Sequence, residues 1–144
     1  MIAVDTQILV YAIREDSPYH SRAFEAMKSL AEGPTRWALP WQSIHELIGV
    51  CTHPNLYKPP TPVADVLGQI NYWLDSPGAT VLPESPDHLE ILDRLIREQS
   101  HLGPRVHDAR IAAICLGGGV RELWTADRDF SHFPQLRCRN PLQA

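Results

Sequence analysis

Short apolar runs of strand length alternate with longer amphipathic stretches through this chain, and that alternation admits few folds. Ile2 to Val4, "TRWALP", "ATVLPE" and "RELWT" read as strands, and segments with helical spacing lie between them. Strands separated by helices do not pair as hairpins. They pair in parallel through crossovers, which puts helices on both faces of the sheet. "LRCRNPL" near the end adds an edge strand. The expectation is an α/β protein of three layers, α/β/α, around a central parallel sheet of four to five strands.

The helices are marked at their ends. A turn and an apolar segment through Ile13 follow the first strand. Ser17 and Pro18 open a helix that carries Ala23, Phe24, Met27 and Leu30 and stops at Gly33. "WQSIHELIGVC" is the helix after Pro40. Thr61 with Pro62 starts a helix with Val63, Val66, Leu67, Ile70 and Leu74, and Ser85 with Pro86 starts one with Leu89, Leu92, Leu95 and Ile96. "HDARIAAICLGGG" is a buried helix stopped by its glycines; a phosphate-binding glycine loop needs the opposite order, strand before and helix after. "THPNLYKPPTP" is the one long irregular loop, too short to serve as a linker between domains, so residues 1–144 are read as a single domain. A chain of this length buries roughly 70% of its unfolded surface and folds without a disulfide or structural metal.

Within this layout the acidic residues stand out. Asp5 sits between two apolar runs, where an isolated carboxylate is very costly to bury and must find hydrogen bonds, a counter-charge or a metal. Asp5 and Asp127 each follow a strand at its carboxyl end, the side on which open parallel sheets form their ligand crevice. Glu46 and Asp108, each placed near the start of a helix, would complete that crevice. Taken singly, each has an ordinary reading as a cap, a turn residue or half of an ion pair. Taken together they do not, because carboxylates ~4 Å apart repel by about 4 kcal/mol per pair at an effective dielectric near 20, so a gathered set requires a cation or raised pKa values. Hard oxygen donors with no histidine or cysteine framework favour Mg2+ or Mn2+ over zinc.

Composition adds constraints and no function. The net charge is −4, which removes the simplest route to nucleic acid, a basic surface, and leaves the work to local basic side chains or bound cations. Cys51, Cys115 and Cys138 are far apart with no CxxC pair, which fits a reducing cytoplasm. The start of the chain has no basic leader and no run reaches membrane length, so a soluble, cytoplasmic protein with no membrane partner is expected.

The segments "AVDTQILVYA", "SIHELIGV", "HDARIAAICL" and "LWTADRDF", in that order across nearly the whole chain, resemble the PIN-domain ribonucleases, specifically the VapC toxins of toxin–antitoxin pairs. The resemblance implies a PIN-like fold and an Mg2+-dependent ribonuclease, with Mn2+ able to substitute, that leaves 5′-phosphate and 3′-hydroxyl ends. It makes Asp5, Glu46, Asp108 and Asp127 the catalytic, metal-binding quartet, Thr6 and Thr125 the hydroxyls that orient those carboxylates, and Asp129 an auxiliary acid. Arg105, Arg110 and Arg128 lie near the motifs as candidate contacts to RNA phosphates. A homodimer and a small VapB-like antitoxin are implied partners. One departure is Gln7, where the family usually carries asparagine; the longer amide puts the surroundings of Asp5 in question.

Other readings are weaker on the residues. His45-Glu46 opens like H-E-x-x-H, but Gly49 takes the second histidine's place, so that zinc site is absent. His53 and His107 are minor acid–base candidates. "VDTQ" resembles the first motif of haloacid-dehalogenase-like phosphatases but has Gln7 for the second aspartate. Cys51 has no base partner within its motif. The alternative of another class is a catalytically weak or inactive PIN scaffold that binds RNA or a protein, for which exposed aromatics among Trp41, Trp73 and Tyr57 would mark the surface.

Overall fold

In the computed structural model, which describes residues 1–143, the expected alternation is realised in order: β1 (Ile2–Val4), α1 (Thr6–Ile13), α2 (His20–Glu32), β2 (Trp37–Pro40), α3 (Trp41–Cys51), α4 (Val63–Leu74), β3 (Ala79–Leu82), α5 (His88–Ile96), α6 (Val106–Gly117), β4 (Glu122–Trp124) and β5 (Cys138–Arg139), with 3-10 turns at Gly103–Arg105 and Arg128–His132. The strands form one five-stranded sheet, β3-β2-β1-β4-β5, parallel at every pairing.

Side chains alternate across a strand, so sequence neighbours enter different cores. Val4, Trp37, Leu39 and Trp124 pack with α1, α2, α3 and α4, whereas Ala3, Ala38 and Leu123 pack with α5 and α6. Both faces of the sheet are therefore covered, which is the three-layer arrangement. The second core combines large side chains such as Leu123, Phe130 and Phe133 with five alanines, Ala3 and Ala38 on the strands and Ala109, Ala112 and Ala113 on α6, and small residues of this kind let a helix lie close to a sheet.

The strand order carries the functional consequence. From β1 the chain steps outward through β2 to β3, then returns to the other side of β1 with β4 and steps outward again to β5. The reversal falls between β1 and β4, whose register pairs Val4 with Trp124. Beyond their carboxyl ends a crevice must open, because the connecting segments diverge there.

Three local expectations shift. The first helix begins at Thr6 with no intervening turn, since Asp5 both ends the strand and caps the helix. The regular part of α2 begins at His20; Ser17 Oγ instead accepts a hydrogen bond from the Tyr19 N–H at 3.1 Å and shapes the turn before it. Phe24, Leu67 and Leu89 have helical spacing but are exposed, because the buried stripe of each helix is narrower than its apolar set. No helix among the described residues is long and apolar enough to cross a membrane.

The glycine run after α6 acts as a stop. Gly118 is the cap residue and Gly119 takes φ +73°, a region that only glycine occupies freely. Gly49 lies inside α3 with nothing within 4 Å of where a Cβ would stand. Urea unfolding should therefore show opposite signs at two glycines: Gly119→Ala loses about 1 kcal/mol or more, and Gly49→Ala gains roughly 0.5–1 kcal/mol.

Candidate functional site

The crevice between β1 and β4 is an acidic cavity of about 330 Å³ whose walls include Asp5, Glu46, Asp108 and Asp127. The carboxylates come from four segments far apart in sequence, each placed by a different element.

Asp5 leaves β1 in extended conformation and is 6% exposed. Its Oδ1 accepts the Thr6 N–H at 2.8 Å, and its Oδ2 accepts the Thr125 hydroxyl at 2.8 Å. Burial pushes its carboxyl up from 3.8 to about 6, these two bonds oppose the rise, and the charges of Glu46 and Asp108 add to it. Ionised Asp5 therefore lowers fold stability by about 3 kcal/mol at neutral pH, compared with a carboxylate left in water.

Glu46 lies in the middle of α3 and not near its start as expected. Its Oε2 accepts the Thr6 hydroxyl at 2.8 Å, and its Oε1 accepts Gln42 Nε2, one turn earlier on the same helix, at 2.7 Å. Thr6 thus joins two acids, using its backbone N–H for Asp5 and its hydroxyl for Glu46. Thr125 does similar work on the other side, donating to Asp5 while its Oγ1 accepts the Asp127 N–H at 3.0 Å. Gln42 is not among the residues that the sequence motifs single out, although the Gln42–Glu46 spacing is that of facing helix neighbours.

Asp108 sits in the first turn of α6; Arg105, not Asp108, occupies the cap position. Burial pushes its carboxyl from 3.8 up to about 6, helped by the charges of Asp127, Asp129 and Glu46. Asp127 precedes the 3-10 turn and its Oδ1 accepts the Asp129 N–H at 2.8 Å. Asp108, Asp127 and Asp129 each bring a carboxylate oxygen within 4.8 Å of the other two. Asp129 thus stands with the facing acids and not behind them.

These donors suit a small hard cation. They are all carboxylate oxygens, three can converge on one point, and two carboxyls are held above their ordinary range by burial, with the charges of neighbouring acids adding to the rise. Asp5 and Glu46 keep lone pairs beyond their hydrogen bonds, since each carboxylate oxygen accepts more than one donor.

The remaining candidates fall into place by contact. Gln7 lines the cavity, but neither oxygen of Asp5 depends on it, so the change from asparagine leaves those bonds intact. Arg110 pairs with Glu84 at 2.6 Å and Arg105 Nη1 reaches Gln99 Oε1 at 3.4 Å, both away from the cavity. Arg128 is exposed and takes part in no ion pair among the described residues. His45 stacks on the exposed Trp41, with ring centroids 5.9 Å apart. Trp73 is core, and Tyr57 is covered by the Arg14 guanidinium at 4.3 Å. Burial pushes the Cys51 thiol up to about 11, which argues against a nucleophile.

Known proteins resemble this chain in sequence and in fold. A sequence model of the PIN domain matches residues 2–136. Ribonuclease VapC43 of Mycobacterium tuberculosis is 30% identical over 142 residues, covering 99% of this chain and 96% of that protein. Ribonuclease VapC33 of the same organism is 27% identical over 143 residues, covering 99% of each. Among solved structures, VapBC2 from Rickettsia felis bound to a DNA fragment from their promoter superposes with a TM-score of 0.66 at 20% identity, covering 97% of this chain and 98% of that one.

The raised carboxyls have a measurable consequence. Between the unfolded value of 3.8 and the folded value of about 6, the folded protein holds protons that the unfolded chain releases, so stability falls as pH rises through that window. In metal-free buffer, Asp108→Asn should melt at a higher temperature than the parent at neutral pH, and the gap should close below pH about 6. Adding Mn2+ should raise the melting temperature of the parent more than that of the variant.

Proposed function

The chain belongs to the PIN-domain family, and from that premise we propose that it is a metal-dependent endoribonuclease, the toxin of a toxin–antitoxin pair, hydrolysing RNA phosphodiesters at the acidic cavity. The observation that carries this reading is the convergence of Asp5, Glu46, Asp108 and Asp127 at the strand-order reversal, with the Asp5 and Glu46 carboxylates held by Thr6, Thr125 and Gln42 before any substrate arrives. Its relatives VapC33 and VapC43 carry the name ribonuclease over almost the same length.

In this reading the quartet, with Asp129 as an auxiliary acid, holds Mg2+, and Mn2+ substitutes. The ion supplies positive charge against the phosphate and makes water a better nucleophile at neutral pH. The chain's own role is positioning. Thr6 and Thr125 keep the Asp5 and Glu46 carboxylates from turning away from one another when their repulsion would drive them apart. Recession of the cavity keeps Asp5 largely out of water, which strengthens every charge interaction there. Arg128 is the best placed of the expected phosphate contacts. A cytoplasmic homodimer with a cognate antitoxin completes the proposal. Phe24, Leu67 and Tyr72 offer 44–57% exposed apolar side chains on α2 and α4, a surface of the kind that partner chains cover.

Incubated with mixed single-stranded and structured RNAs, the protein should cut in Mg2+ or Mn2+ and not in EDTA, and Asp5→Asn and Asp108→Asn should each abolish cutting. Thr125→Val, which deletes one donor to Asp5, should lower the rate about 10- to 100-fold. The rate should rise with pH through about 6 as Asp5 and Asp108 ionise, and more metal should move that rise to lower pH, because the ion competes with protons. RNA binding with no cutting in any divalent ion would instead favour the inactive scaffold.

A further inference from the structure

A second groove opens beside the acidic cavity and shares Ala126 and Asp127 with it. Its volume is about 660 Å³, twice that of the cavity of about 330 Å³. Arg128, from the 3-10 turn, and Arg139, from β5, both line it, and Asp127 is its only acidic lining residue.

Arg14, Arg97, Arg110 and Arg137 each hold a carboxylate. Among the described residues the other arginines hold none, and of these Arg128 and Arg139 are the two that line the groove beside the acidic cavity, both exposed in a chain with an excess of acids. Arg128 stands between Asp127 and Asp129 in sequence, yet those two carboxylates turn toward Asp108 while Arg128 lines the neighbouring groove. Asp127 borders both spaces, and within this short turn Arg128 lines the groove while Asp129 does not.

Arg139 is fixed by the sheet. It is registered opposite Trp124, with its guanidinium 5.7 Å from the centre of that ring. Its carbonyl accepts the Thr125 N–H at 2.9 Å, and the Thr125 hydroxyl donates to Asp5 at 2.8 Å. The position of Arg139 relative to the acidic centre is therefore set through two consecutive hydrogen bonds. Arg139 also borders the groove lined by Trp124, and neither it nor Arg128 holds a carboxylate among the described residues, so both can meet anions from outside the chain at the edge of this groove.

We propose that this groove is the path of the RNA strand running away from the scissile phosphate, with Arg128 and Arg139 each taking a backbone phosphate; the inference rests on the ribonuclease reading above. The occupant proposed is single-stranded RNA, whose backbone can lie along the groove and present successive phosphates to the two arginines. Contacts of this kind hold the strand in register without choosing its sequence.

The test uses the full-length chain carrying Asp108→Asn, so that RNA survives, with a short fluorescein-labelled single-stranded oligoribonucleotide in Mg2+ across a salt series. Arg128→Gln and Arg139→Gln should each weaken binding and lower the slope of log affinity against log salt by roughly 0.7, the value for one phosphate contact on a single strand. In the cutting-competent protein they should raise KM and leave kcat nearly unchanged. Arg97→Gln, which removes an exposed arginine paired on α5, is the control for lost charge alone. Losses at Arg128 and Arg139 no larger than at Arg97, in a protein that binds and cuts RNA, would overturn the groove and leave the ribonuclease standing. A parent that neither binds nor cuts RNA would remove the ribonuclease reading, and the groove with it. Melting curves of each variant exclude misfolding as the source of any loss.

Discussion

A buried carboxylate at the end of β1 is the feature around which the rest of this site is arranged. Asp5 is nearly inaccessible, and left alone it would be neutral or would unfold the strand end. Its two oxygens instead meet the Thr6 N–H and the Thr125 hydroxyl, one from the helix that Asp5 itself caps and one from the adjoining strand end. The second of these partners exists only because β4 lies beside β1, so the order of the sheet is a precondition for the charge. Satisfied by hydrogen bonds but not by a counter-charge, Asp5 still stands above its ordinary pKa, and Asp108 does so as well. The fold thus keeps a concentration of negative charge that is unfavourable to itself, and a divalent cation is the simplest agent that removes the difficulty.

The same layout separates two tasks that an acidic nuclease must reconcile. The centre needs negative charge to hold a cation, while its substrate is a polyanion. Sorting Asp127 and Asp129 toward Asp108 and leaving Arg128 and Arg139 on the adjacent groove puts the two signs side by side without their pairing off. Net charge is a poor guide to nucleic-acid binding for this reason, since a chain at −4 can present an arginine-lined groove next to an acidic cavity.

Much of this is legible in the sequence because it depends on period and order. The strands, the helix after each and the glycine stop follow from residue spacing, and parallel pairing follows from the helices between strands. Asp5 and Asp127 are readable as crevice residues because both directly follow strands. Depth within a helix is less legible: Glu46 reaches the cavity from the middle of α3, where the crossing of helix and sheet, and not nearness to the helix start, sets the approach. The grouping of Asp129 with Asp108 and Asp127 depends on how a short 3-10 turn rolls its side chains, which no periodicity reports. Arg139 carries no local signal at all, since its place comes from β5 pairing with β4.

If these acids form one cation site at the reversal of strand order, Mn2+ should be visible there by anomalous scattering from crystals of the protein equilibrated with the ion. A peak is expected within about 2.0–2.3 Å of carboxylate oxygens of Asp108 and Asp127, inside the cavity bounded by Asp5 and Glu46. An empty cavity at a saturating Mn2+ concentration, or Mn2+ bound only at other carboxylates, would contradict it.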